Sequence, residues 1–531
     1  MSLLKSIATV SGFTMLSRII GFIRDVLIAR YLGATMLSDA FFVALRFPNL
    51  FRSLFAEGTL NVSFVPIFAR ILKEKGKDKA RLFAKEAFSL LFYILLIFTI
   101  LMEILMPYAM VVLAPGFDQI PGKIDITTQL SRITFPFLLA VSLVSLLSGV
   151  LNSLGRFAAA AFTPCLLNFM MIGFLVLLSP FMPNPAYALA WGVFTAGIVE
   201  LIFLLWNMHR SGLFFGLWGP IKVIRCFSKD IKTLFKRMLP GVFGSGVYQI
   251  NLFLDTFFVS FLMQGAVSWL NYAYHLFQLP IGIIGVAIGT ALLPILSRYI
   301  HDGKIQKARH EMNRGLEVSL SMSLSSMIGL FILAVPIVSV LFERGAFTYE
   351  ETVPTANALR AFSLGLPAYM LTKALAPFFY AKGDTVTPVK IATVGVVINA
   401  VLCLTLMQFW GHVGIALATG ITVWINAGQY VYLLKKRGDF ALDLLFKFRS
   451  VRILFSAVLM GVFLGSAKYV LDHFFADWLN APHFIPFFVL SGLIGCAVVL
   501  YFGVLLATKG IRWKDFKAFL FHKKNKVLTK A

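Results

Sequence analysis

Six stretches of this chain run for about 20 residues or more without a charge: Ile133–Gly155, Phe157–Val199, Leu276–Ser297, Val318–Phe342, Val413–Leu434 and Phe484–Thr508. A helix needs about 20 apolar residues to cross the hydrocarbon core of a bilayer. Phe157–Val199 is too long for one crossing, and SPFMPNP at Ser179–Pro185 divides it. In lipid the backbone must satisfy its own polar groups, so crossings of this composition are helices. The expected fold is an all-α polytopic membrane protein. A window of about 19 residues places about fourteen spans, centred near Gly21, Leu54, Leu95, Ser142, Met170, Ala196, Asn251, Ile284, Gly329, Leu371, Val397, Ile421, Leu459 and Gly495.

The net charge of +24 would suggest nucleic acid in a soluble protein, but 59% of the residues are hydrophobic and only 14% charged. The cations gather instead in alternate loops: Arg70–Lys85, Arg210–Arg237, Arg298–Arg314, Lys435–Arg449 and Lys509–Lys530. The intervening loops are poor in charge. That bias predicts cytoplasmic basic loops in contact with anionic lipid, both termini cytoplasmic, and no nucleic-acid partner. The loop near 210–237 could carry an amphipathic surface helix, LFFGLWGPIKVIRCF. Cys165, Cys226, Cys403 and Cys496 are scattered without a CxxC pair, which implies neither a metal site nor a disulfide framework. Arg18 and Arg24 interrupt the first apolar run and no cleavage site follows, so no signal peptide is read.

Two markers recur along the chain. AEGTLNVSFVPIFAR (56–70) matches AIGTALLPILSR (287–298) in its Gly-Thr, Pro-Ile and terminal Arg, and FTP (162–164) matches VTP (386–388). Both pairs are offset by about 225–230 residues, the signature of an internal repeat. The reading is a parallel repeat of two six-span lobes, a transporter architecture with its site between the halves. The lobes cover 1–210 (spans 1–6) and 236–437 (spans 7–12), joined by a cytoplasmic amphipathic linker at 211–235. Spans 13–14 follow at 438–508 and a basic tail at 509–531.

Charges at bilayer depth are costly and face a bundle interior or a water-filled cavity. Span one carries Arg18, Arg24 and Asp25; span two carries Asp39, Arg46, Arg52 and Glu57. On a straight helix Arg18 and Asp25, seven apart, share a face, while Arg24 points elsewhere. Pro48 is expected to kink or break span two. Guanidinium groups bind phosphate by paired hydrogen bonds, so this cluster predicts a site for an anion. The acids would orient the arginines or close a gate by pairing. In the second half the charges inside spans are Asp255, His275 and Lys373.

The run GFIRDVLIARYLGA…SDAFFVALRFPNLFRSLFAEGTLNVSFVPIFAR closely resembles the N-terminal signature of the MurJ (MviN) family of bacterial lipid II flippases. VSWLNYAYHLFQLPIGIIGVAIGTALLPILSR, LAPFFYAKGDTVTPVKIA and APGF (114–117) resemble the same family. The resemblance implies the fourteen-helix fold of the multidrug/oligosaccharidyl-lipid/polysaccharide (MOP) exporters. Two lobes would enclose a cationic cavity, and the last two helices would form a groove for the lipid tail. It implies transport of undecaprenyl-pyrophosphoryl-disaccharide-pentapeptide from the cytoplasmic to the periplasmic leaflet of the inner membrane, by a monomer with the cell-wall synthesis machinery as a partner. No cofactor is implied beyond coupling to membrane potential or to Na+ or H+.

Carried over by position, the substrate-binding residues are Arg18, Arg24 and Arg52, with Asp39 as acidic partner and Asp25 and Glu57 in the same signature. His275 stands in span eight where many relatives have an arginine, with Lys373 the other cation of that lobe. Asp255, Asn399 and Thr419 resemble the ligands of a sodium site, with Cys403 where an acid is expected. A drug or cation exporter would need acids in its cavity. A membrane-embedded acyl- or glycosyltransferase would need a catalytic cluster of acids or histidines, and a scaffold would leave the buried arginines unexplained. A flippase for another undecaprenyl-pyrophosphate-linked glycan would read the same way.

Overall fold

The computed structural model describes residues 3–53, 60–212, 228–475, 478–479 and 484–510. Glu57, the segment 213–227 and most of the basic tail lie outside the described residues. Everything described is helix and connection, without strands. Nine helices among the described residues are long and apolar enough to cross a membrane. By contacts the chain divides into two compact units: residues 1–271 with 342–351, and residues 272–341 with 352–531.

Unit 1 contains α1 (Leu3–Leu32), α2 (Met36–Arg52), α3 (Leu60–Leu113), α4 (Lys123–Thr134), α5 (Phe137–Ser153), α6 (Phe157–Gly173), α7 (Pro185–Arg210) and α8 (Lys229–Ser260). At 54 residues α3 would be about 81 Å long if straight. Gly76, at φ 81°, turns it into two arms. α1 packs on α6, α5 on both α3 and α7, and α2 on α4. α8, which the repeat assigns to the second half, packs on α3; Asp230 at its start pairs with Arg70 at 3.0 Å and Lys75 at 3.2 Å. The core between α3, α5 and α7 holds Phe64, Phe68, Phe83, Leu146, Leu147 and Leu204.

Pro48 sits inside α2, which stays helical through it to Arg52. The expected break is absent because its cost is met locally. A proline has no N–H for the carbonyl four residues back, here that of Ala44. Thr134 on α4 donates its hydroxyl to that carbonyl at 2.8 Å, and the Asn49 amide donates to the next one, Leu45, at 2.9 Å.

Segment 342–351 docks on the turn between α1 and α2. Ala346 donates its N–H to the Arg30 carbonyl at 2.8 Å. The Glu351 carboxylate accepts the N–H groups of Ala34 at 3.1 Å and Thr348 at 2.7 Å. Burial pushes the Glu351 carboxyl up from its ordinary value, against those two bonds. Gly345 has φ 63°, and a methyl there would stand 2.5 Å from the Arg30 carbonyl oxygen. Gly345→Ala is therefore expected to cost about 2 kcal/mol or more, from left-handed backbone strain plus the clash. Gly383, at φ 78° with nothing within 4 Å of an added methyl, is the control. Gly383→Ala should show the backbone part alone, and equal melting temperatures for the two variants would refute the docked segment.

Unit 2 holds the C-terminal part of α9 (Ala266–Pro280), then α10 (Val286–His301), α11 (Ile305–Ile332), most of α12 (Ala334–Phe342), α13 (Tyr349–Leu364) from residue 352 onward, α14 (Leu366–Ala381), α15 (Val386–Lys436), α16 (Leu444–Phe474) and α17 (Phe484–Ala507). α15 is divided by Gly411, at φ 53°, into two arms of about 25 residues, each near 37 Å and enough for one crossing. Its core gathers Leu296, Met312, Phe378, Phe379 and Leu434.

α16 is clamped to α11 by charge. Arg449 donates to Glu317 at 2.8 Å, both side chains 4% exposed. Arg314 pairs with Asp443 at 2.7 Å, and Asp443 caps α16 by accepting the Phe446 N–H at 2.7 Å. Burial pushes the Asp443 carboxyl up, but the Phe446 N–H and Arg314 outweigh it and hold it below its ordinary value. A carboxyl depressed on folding adds stability that is complete above its unfolded pKa near 3.9 and fades as pH falls through the folded value. Asp443→Ala is expected to lose about 1 kcal/mol of cap and pair stability at pH 7 and to melt with a flatter dependence below pH 4. An unchanged acid limb in thermal melts would exclude the clamp.

Candidate functional site

α1 supplies the best-defined cationic group. Arg24 is one residue from Asp25, a spacing at which helical side chains diverge. The long arginine nonetheless reaches it: Nε lies 3.0 Å and Nη2 2.7 Å from Asp25 Oδ1. Nη1 donates to Asn168 Oδ1 on α6 at 2.8 Å and approaches the Met171 sulfur at 3.9 Å. Arg18, six residues earlier and about 9 Å along the axis, is exposed and makes no hydrogen bond or ion pair among the described residues. α1 thus offers a braced guanidinium and an exposed one.

Arg52 closes α2, where its Nε donates to Asn49 Oδ1 at 2.9 Å. Its charge acts on Glu200, a buried acid of α7. Arg46 donates from Nη1 to Thr256 on α8 at 3.1 Å.

Asp39 is placed differently from its sequence neighbours. It is fully buried and pairs with Lys123 of α4 at 2.8 Å. Its oxygens also accept the Gly265 N–H at 2.8 Å, the Ser268 N–H at 3.0 Å and the Ser268 hydroxyl at 2.7 Å. Lys123 is 1% exposed, with its ammonium 4.0 Å from the Phe117 ring centre. Asp39 therefore ties α2 to α4 and to the first turn of α9, and its acid is neutralised by a lysine rather than an arginine. Lys123 falls in one of the charge-poor loops by sequence, where nothing along the chain points to Asp39. Asn168 and Glu200 were also missed. A single amide inside an apolar run carries no charge signal, and Glu200 falls just after one.

In unit 2, His275 on α9 is half-buried, and Lys373 on α14 is exposed with its stem beside Gly285. Among the proposed sodium ligands, Asp255 belongs to unit 1 and accepts from the Asn251 amide at 3.1 Å. Asn399 and Thr419 belong to unit 2. Asn399 Oδ1 accepts the Thr422 hydroxyl at 3.4 Å, Thr419 donates to the Ile415 carbonyl at 3.2 Å, and Cys403 is buried. Among the described residues no group of three or more His, Cys, Asp or Glu is disposed to hold a metal ion. α16 and α17 border an open apolar groove of about 640 Å³ lined by Phe463, Gly492, Gly495, Cys496, Val499 and Leu500.

A family model described as lipid II flippase MurJ matches residues 28–488. A probable lipid II flippase MurJ of Rhizobium tropici is 38% identical over 517 residues, covering 96% of this chain and 95% of the relative. A lipid II flippase MurJ of Burkholderia cenocepacia is 35% identical over 440 residues, 82% of this chain and 85% of the relative. A solved lipid II flippase MurJ in an inward closed conformation superposes with TM-score 0.74 at 26% identity, covering 96% of this chain and 99% of its own. An inward-facing multidrug resistance MATE family transporter of the MOP superfamily superposes with TM-score 0.66 over 81% of this chain and 97% of its own; at 15% identity that likeness is one of fold. With a family match across most of its length and an all-helical fold shared with MOP transporters, the chain belongs to the MurJ family of lipid II flippases, multi-pass membrane transporters.

Proposed function

We propose that this chain carries lipid II, undecaprenyl-pyrophosphoryl-disaccharide-pentapeptide, from the cytoplasmic to the periplasmic leaflet of a bacterial inner membrane by alternating access. The observation that carries the reading is the pair of arginines on α1, the helix read from the sequence as the first span, one braced by Asp25 and Asn168 and one exposed without a partner among the described residues. Cations at that depth are retained for an anion, and paired guanidinium donors match a pyrophosphate. Arg52 adds a third cation from the same unit. The apolar groove of α16 and α17 fits a prenyl tail that stays in lipid. The alternate basic loops support cytoplasmic termini. Each charge moved through 100 mV is worth about 2.3 kcal/mol, so the inside-negative potential favours the empty cationic site facing inward and can reset the carrier.

Reconstitution into vesicles with lipid II tests this. Transport should appear with the wild-type chain and respond to an imposed potential. Vesicles that flip an undecaprenyl-pyrophosphate carrying a different glycan equally well would move the assignment to the wider class of lipid-linked glycans. No flipping of either lipid would refute it.

A further inference from the structure

A guanidinium has five N–H donors in a fixed plane. Arg24 commits Nε and one hydrogen of Nη2 to Asp25 Oδ1, and one hydrogen of Nη1 to Asn168 Oδ1. The Met171 sulfur at 3.9 Å is a weak acceptor at long range. The second hydrogen of Nη1 thus meets only that weak acceptor, and the second hydrogen of Nη2 has no partner among the described residues, so the group keeps two donors for the oxygens of a phosphate. The side chain is 16% exposed, so a small part of it stays accessible to a ligand.

Asn168 is itself held. It is 5% exposed, and its Nδ2 donates to the Ser17 carbonyl at 3.1 Å and lies 3.4 Å from the Ser17 hydroxyl. A carbonyl can only accept, so the amide must turn its NH2 to Ser17 and its oxygen to Arg24. The brace differs in kind from Asp25. A carboxylate balances the charge of the arginine, whereas an amide oxygen orients the group and leaves its charge intact.

We propose that Asn168 is a positioning residue for substrate recognition: with Asp25 it fixes which edge of Arg24 faces the pyrophosphate of the transported lipid. The inference rests on the flippase reading above. Two substitutions separate its parts. Asn168→Asp keeps the acceptor but sets a second carboxylate on the guanidinium, and Asn168→Ala removes the brace. In full-length protein in nanodiscs, each is expected to weaken lipid II binding by about tenfold or more, the scale of one charge-assisted hydrogen bond. Asn168→Asp also turns an oxygen toward the Ser17 carbonyl, so melting temperatures are read beside binding for both variants, and the Arg24→Lys background separates lost packing from lost orientation.

The decisive measurement is the same substitution in an Arg24→Lys background, where no fork exists to orient. There Asn168→Ala and Asn168→Asp should change lipid II binding by less than about twofold. An equal loss in both backgrounds would make Asn168 merely structural and overturn the proposal. So would wild-type affinity for both Asn168 variants while Arg24→Lys binds weakly. Wild-type affinity for Arg24→Lys and Arg24→Ala together would instead remove Arg24 from recognition, defeating the flippase site and this inference with it.

Discussion

Asp39→Ala is expected to destabilise the protein by about 3–5 kcal/mol, the cost of leaving one member of a buried ion pair alone. The variant would strand the Lys123 ammonium, 1% exposed, with the Phe117 ring as its remaining cation partner. It would also leave the Gly265 and Ser268 N–H groups without the oxygens they now use. A second substitution sharpens the expectation. Asp39→Leu with Lys123→Met removes both charges, and a buried pair exchanged for apolar groups is often neutral. The double variant should therefore recover much of the loss. It should stay below wild type by the cost of the two unpaired N–H groups, about 1–3 kcal/mol each at most. Thermal melts in detergent read all three proteins. An Asp39→Ala variant that melts like wild type would show that the pair is not formed. Membrane abundance belongs beside any transport assay of this variant, because loss of transport here follows from loss of fold.

Arg18→Ala is expected to behave in the opposite way, with transport lost and fold kept. The side chain is exposed and braced by nothing among the described residues, so its removal orphans no acid. A hydrogen bond from a charged donor is worth about 1.5–3 kcal/mol, or roughly 10- to 150-fold in affinity. A bidentate contact to pyrophosphate reaches the upper part of that range. Depleting the native flippase in a bacterial host and supplying the variant should leave lipid II accumulating in the inner leaflet at normal protein abundance. Arg18→Lys should restore part of the activity, since it keeps the charge and loses the fork. Full complementation by Arg18→Ala would refute a role in recognition. The contrast with Arg24 is useful: Arg24→Ala leaves the buried Asp25 without its arginine, so its transport defect mixes recognition with stability.

The membrane character was legible because it depends only on local composition. An uncharged run of 20 residues has one low-energy arrangement in a bilayer, whatever its neighbours are. Arg18 and Arg24 stood out for the same reason: a charge in such a run is conspicuous without any structure. Family membership was legible in GFIRDVLIARYLGA and the motifs that follow it. The partners of these charges were not. Asp39 was read with the arginines because it is near them in sequence, but its lysine lies 84 residues away and its two backbone donors more than 220 residues away. Local rules that hold for an isolated helix make Pro48 a kink or a break. The hydroxyl of Thr134, 90 residues on, supplies what those rules leave out.

The sequence by itself determined the solvent this chain folds in, the all-helical class and the cationic character of its first span, because each follows from residues close together along the chain. The tertiary structure alone decided which charges are spent and which are available. Arg24 is braced, Arg18 is open and Asp39 is consumed by Lys123, because a charge's partner is set by which helices pack side by side, and spacing along one helix does not record that.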